Sequence, residues 1–210
     1  VSDGATLWNA VHQERHRLVG DLQRISDEQW QVPSLCPGWT VHDVLAHLVD
    51  SATTTRLGFV RQMVFSRFDF DRANAVGVAR HRRSDAQETL EAFRAAAGRT
   101  DSPPASLATR LVEAYVHGED IRRPLGLTAH YPTEHVVTAL SYMARTGAGL
   151  GGGKERVEGL RLSPSDFDGP IGQGPEVRGG AISLLMATSG RSVHPSELTG
   201  AGASTLAARA

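Results

Sequence analysis

The amino-acid sequence predicts a mainly helical protein that ends in a small α+β domain. Three observations carry this expectation. Apolar residues recur at three-, four- and seven-residue spacing in segment after segment as far as Thr146. The stretch GAGLGGGK, Gly147 to Lys154, then interrupts the pattern as a flexible linker would. Beyond it the chain alternates in VEGLRLS, turns repeatedly in SDFDGPIGQGPEVRGG and closes with the short apolar run AISLLMATSG. The expected organisation is a helical domain over residues 1–150 and a small α+β domain over residues 151–210.

The first helix is marked by Leu7, Trp8, Val11, Leu18, Leu22 and Ile25, with charged residues between them. Ser26 to Gln29 reads SDEQ, which has capping-box spacing and opens a short helical turn. In CPGWTVHD, Cys36 to Asp43, a Pro-Gly turn leads to Thr40 as N-cap, with Asp43 at the N3 position. One long helix is expected from there to about Arg67. Phe68 to Ser84 loses the period and reads as a long connection, and Ser84 with Gln87 opens a further helix to about Ala97. SPP at Ser102 to Pro104 breaks the chain. A helix then runs from near Ala105 to the Pro124-Leu125-Gly126 stop, and another from Thr133 to about Thr146.

Composition excludes several classes of function. A formal net charge of −1 offers no global field for nucleic acid or an anionic membrane. The basic clusters (Arg80, Arg82 and Arg83; Arg122 and Arg123) are short and lack interleaved aromatic residues for base stacking. The longest apolar run, AISLLMA, is far too short to span a bilayer, and the N-terminal residues lack the layout of a secretory signal. The single cysteine, Cys36, excludes an internal disulfide, fits a reducing cytoplasm and is read as structural. GLGGGKE lacks the Ser or Thr that a phosphate loop needs, and there is no G-x-S-x-G elbow.

The chemistry concentrates in LVEAYVHGEDIRRPLG, Leu111 to Gly126. Glu113 and His117 stand at i and i+4, and Asp120 lies one turn further on. The three occupy a polar strip only ~60° wide, bordered by Val112 and Val116 on one edge and Ala114 and Ile121 on the other. An i,i+4 pair lets two side chains grip one metal ion, and a third ligand must then come from another helix. His47, at the edge of the apolar stripe of Val41, Val44, Leu45 and Leu48, is the candidate. One carboxylate and two imidazoles leave coordination positions open, as a reactive site requires. The competing readings are a chance Glu/His pair, an interfacial histidine at His47, and a salt bridge from Asp120 to Arg122 or Arg123.

The block SLCPGWTVHDVLAHLVDSATTTR, with VEAYVHGEDIRRPLG some way downstream, resembles the mycothiol-dependent maleylpyruvate isomerase family, part of the DinB-like group of metal-binding four-helix bundles. The carrying features are CPGWTV leading into a helix with AHL, followed by E-x-x-x-H-G-x-D-I-R. The tail from Ser165 to Arg191 also looks like the small C-terminal domain of that family. The resemblance implies a divalent metal, zinc in the first instance, held by His47, Glu113 and His117, with mycothiol as thiol cosubstrate. A coordinated thiol is deprotonated outright, and the thiolate would add to an electrophilic small molecule. Release of the thiol after bond rotation gives cis–trans isomerisation; release of the adduct gives S-transfer. Asp120 is expected to fix an imidazole tautomer or hold an arginine. Arg178 and Arg191 are candidates for a substrate carboxylate, against the plainer reading of solvated surface arginines. The expected partners are thus a low-molecular-weight thiol and a small electrophile, on a cytoplasmic monomer or homodimer. The alternatives on the same bundle are a metal-dependent hydrolase and a metal-binding protein without turnover.

Overall fold

The computed structural model describes residues 4–210. The chain divides into two compact units, Val1–Thr128 and Ala129–Ala210. In the first, helices α1 (Gly4–Leu22), α2 (Val41–Thr53), α3 (Arg56–Phe65), α4 (Phe70–His81), α5 (Ala86–Ala96) and α6 (Ala108–Arg122) follow one another. Four of them, α1, α2, α5 and α6, form the bundle, because α2 packs on α5 and α6 while α1 packs on the same two. Their apolar stripes meet in a core that includes Leu18, Leu22, Val41, Leu45, Leu48, Leu90, Phe93 and Ile121. Arg122, fully buried, ties α6 to α1 through Glu14 and through Asp21 at 2.8 Å.

The entry to α2 forms as its residues dictate. Thr40 accepts from the backbone of Asp43, and the Asp43 side chain accepts from the backbone of Thr40, a reciprocal capping box. Upstream, Trp39 N–H donates to Cys36 C=O at 3.1 Å, closing a turn with Pro37 and Gly38 in the middle. Gly38 has φ +78°, which the third position of a type II turn requires and which glycine adopts without strain.

Two expectations for this unit are corrected. The helix expected to run from α2 to Arg67 breaks at Thr54, whose backbone is extended, and Thr55 caps a new helix by accepting from Gly58 N. Three consecutive β-branched threonines, poor helix formers with hydroxyls that serve as caps, account for the break. The segment expected as a connection, Phe68 to Ser84, is mostly α4. Asp69 caps it, and it buries only Ala73, Gly77 and Val78, mainly against α2. Such small side chains give almost no hydrophobic period to read.

In the second unit α7 (Thr133–Met143) packs chiefly on α9 (Ala181–Thr188), with α8 (Lys154–Val157) and α10 (Ala203–Arg209) beside them. Strands β1 (Arg161–Pro164), β2 (Ile171–Gly172), β3 (Glu176–Gly179) and β4 (Leu198–Thr199) form a sheet in the order β2-β1-β3-β4. β1 and β3 are parallel, with Leu162 opposite Val177, and the two outer pairings are antiparallel. The mainly helical architecture with a small C-terminal sheet is as expected. The glycine stretch is not a flexible linker. Gly152 and Gly153 are buried, and a Cβ on either would fall within 2.0 Å of the carbonyl oxygen of Thr146 or Thr188 respectively. These glycines are there for close backbone packing.

Candidate metal centre

The site lies where α2 faces α6. His47 and Ser51 stand at i and i+4 on α2, so they share one face. Glu113 and His117 share the facing side of α6 in the same way. The rings of His47 and His117 meet edge to face with centroids 4.8 Å apart. His47 is 9% exposed and Glu113 is 9% exposed, so both polar groups sit almost wholly within protein. The ring of Trp39 packs on His47 at a centroid distance of 5.3 Å.

Each of the two α6 groups is held by neighbours. On Glu113, Oε2 accepts from Ser51 Oγ and pairs with Arg110 Nη1 at 2.8 Å, whereas Oε1 has Arg15 Nη2 at 3.8 Å. Burial alone would raise its pKa, but the guanidinium groups of Arg110 and Arg15 prevail and hold the carboxyl below its ordinary range. On His117, Nδ1 donates to Asp120 Oδ2 at 2.9 Å. An ionised carboxylate can only accept, so this contact fixes a proton on Nδ1. Burial would lower the pKa of His117; hydrogen bonds to Asp120 and Cys36 overcome it, and the imidazole is pushed up to about 9 in the metal-free protein.

Asp120 is fully buried. The arginines considered for it are engaged elsewhere: Arg122 by Glu14 and Asp21, and Arg123 by Glu119 at 2.7 Å. Cys36, read from the sequence as merely structural, belongs to this centre. Its Sγ lies 3.5 Å from Asp120 Oδ2 and 4.0 Å from His117 Nδ1. The backbone explains the placement, since Leu35 N–H donates to Asp120 C=O at 3.1 Å and pins the CPGW turn to α6. Cys36 Sγ, His117 Nδ1 and Asp120 Oδ2 all lie within 4.8 Å of one another and are a group that could itself hold a metal.

Sequence reasoning thus overlooked Cys36, Ser51, Arg15 and Arg110. For Ser51 and Arg110 a signal existed, because each lies one helical turn from a proposed ligand. Cys36 and Arg15 had none, since only folding brings them here. Arg178, on β3, and Arg191, after α9, belong to the second unit. Arg178 is exposed, and Arg191 Nη1 donates to Ser189 C=O at 2.8 Å.

Two imidazoles and a carboxylate are borderline-to-hard ligands of the type zinc accepts, but both oxygens of Glu113 face arginines here, and among the described residues the donor atoms that lie within 4.8 Å of one another are those of Cys36, His117 and Asp120. Among the described residues, no helix is long and apolar enough to cross a membrane.

Comparison with known proteins bears out the resemblance drawn from the CPGWTV block. No curated protein matches the chain. A crystal structure of the mycothiol-dependent maleylpyruvate isomerase, 15% identical, and one of a histidine-to-alanine mutant of it, 14% identical, both align with a TM-score of 0.66. Each alignment covers 94% of this chain and 92% of the other. Residues 11–103, which include α2 and His47, match the family model of the mycothiol maleylpyruvate isomerase N-terminal domain, and over most of its length the chain has the fold of that isomerase.

Proposed function

We propose that this protein is a metal-dependent, mycothiol-using enzyme that adds the thiol to an electrophilic small molecule, by cis–trans isomerisation or S-transfer. The observation that supports it most is the apposition of His47 and His117, with Glu113 one turn from His117 on the same helix. His47, Glu113 and His117 would hold the cation. The Cys36–His117–Asp120 group is the weaker alternative, for a geometric reason. Two ligands of a tetrahedral zinc with bonds of ~2.1 Å stand ~3.4 Å apart. Asp120 and His117 are only 2.9 Å apart, the separation of a hydrogen bond.

A bound divalent cation lowers the pKa of a thiol, so that thiolate is available at neutral pH. The protein's own residues do the rest. Asp120 fixes the tautomer and ring orientation of His117, a carboxylate–histidine support that raises ligand basicity. Ser51 and Arg110 fix Glu113 through Oε2. Trp39 covers one side of His47 and keeps bulk water from it. In the isomerase reading the thiol sulfur adds to an activated double bond, the bond rotates and the thiol departs; in the transferase reading the adduct is the product.

Metal analysis of the parent and of His47→Ala and His117→Ala tests the ligand set, with near-stoichiometric metal expected in the parent and almost none in either variant. A cobalt-substituted parent should change its visible spectrum on addition of mycothiol. Equal metal content in all three proteins, or a spectrum indifferent to thiol, would refute the reading.

A further inference from the structure

The first unit contains a polar concavity apart from the candidate metal centre. A cavity of about 550 Å³ opens between the C-terminal end of α2, α3 and α4, within the size range of small-molecule sites. None of His47, Glu113, His117 or Asp120 lines it. Three arginines do: Arg61 from α3, and Arg72 and Arg80 from α4. Asp50 is the one carboxylate in the lining, and its Oδ1 is already 3.3 Å from His81 Nε2. The lining therefore carries three positive charges against one negative, in a chain whose net charge is −1.

Among the described residues, several other arginines of this unit are tied to carboxylates, while the side chains of Arg24, Arg56, Arg67 and Arg83 are not. Arg15 and Arg110 pair with Glu113, Arg82 with Asp43, Arg122 with Glu14 and Arg123 with Glu119. The guanidinium groups of Arg61, Arg72 and Arg80 have no hydrogen-bond or ion-pair partner among the described residues. Three such residues line one hollow, and guanidinium groups recognise oxyanions through planar, bidentate hydrogen bonds. Of the threonines in the same wall, Thr53 and Thr54 donate their hydroxyl protons to the carbonyls of Val49 and Asp50, whereas Thr55 Oγ1 accepts from Gly58 N and keeps its proton to donate.

We propose that the α2–α3–α4 cleft binds a small molecule carrying a doubly charged oxyanion group, a phosphate monoester or a dicarboxylate, at a site separate from the metal centre. This does not depend on the function proposed above.

The test is calorimetric titration of the full chain as purified, at constant ionic strength, with glucose 6-phosphate, with glutarate and with glucose. Saturable binding of at least one anion and none of glucose is expected, and the two anions distinguish phosphate from carboxylate recognition. The double variant Arg61→Ala/Arg72→Ala should weaken that binding by about tenfold or more. Both positions are exposed, so the fold is not at stake, and Arg80→Ala serves as an independent second variant. His47→Ala, which removes a proposed metal ligand, should leave the affinity unchanged. Absence of anion binding, an arginine double variant that binds like the parent, or loss of binding in His47→Ala would each overturn the proposal.

Discussion

Asp120 Oδ2 lies 2.9 Å from His117 Nδ1, and the aspartate is fully buried. One turn of helix separates the two residues, so α6 itself sets the distance. The contact fixes a proton on Nδ1 of His117, whose ring meets that of His47 edge to face. Replacing Asp120 with asparagine keeps the shape and removes the charge. The expected result is a metal affinity about 10–100-fold weaker in Asp120→Asn, measured by competition with a chromophoric chelator.

Glu113 neutralises two arginines in an almost dry setting, with Arg110 at 2.8 Å and Arg15 at 3.8 Å. Truncating it leaves both cations buried without their carboxylate. In chelator-treated protein, Glu113→Ala should cost about 3–5 kcal/mol, read from urea unfolding. Glu113→Gln, which retains a carbonyl acceptor for Arg110 and Ser51, should cost less.

The capping box at the start of α2 gives the fold an acid-sensitive element. Burial opposes ionisation of Asp43, but hydrogen bonds from Thr40 and the guanidinium of Arg82 hold its carboxyl below the ordinary range. A pKa lowered on folding stabilises the native state above the ordinary carboxylate value, about 4, and that contribution disappears as pH falls through the folded-state value. Asp43→Ala should therefore lose about 1 kcal/mol at neutral pH. Its stability should also fall less steeply than that of the parent on acidification, as followed by circular dichroism between neutral and acid pH.

Gly77 lets α4 approach α2. A Cβ there would lie 2.3 Å from Asp50 Oδ2, and Asp50 is held in turn by His81 at 3.3 Å and Gln62 at 3.5 Å. Gly77→Ala should destabilise by about 1–3 kcal/mol through overpacking. Asp50→Ala relieves the clash, so the double variant should be more stable than the two single effects predict by addition. Thermal unfolding of the four proteins checks this.

The bundle helices with strong apolar stripes, α1, α2, α5 and α6, were legible in the sequence because Leu18, Leu45, Phe93, Ile121 and their neighbours repeat at the helical period. So was the Thr40–Asp43 cap, whose partners are three residues apart. α4 was not, because Ala73 and Gly77 bury almost no hydrophobic area. The glycines near Gly152 looked like a linker because glycine serves both flexibility and close approach, and only their tight contacts with Thr146 and Thr188 decide which.

At the candidate site, the sequence alone places Glu113 and His117 on one face of a helix, since helical spacing decides which side chains share a face. Which side chains surround them was decided by the tertiary structure. Cys36 reaches His117 only because the Leu35 backbone bonds to Asp120, and Arg15 reaches Glu113 only because α1 packs on α6. Local periodicity carries information over a few residues of chain. Electrostatic surroundings depend on which distant helices come together, and that is a property of the packed core.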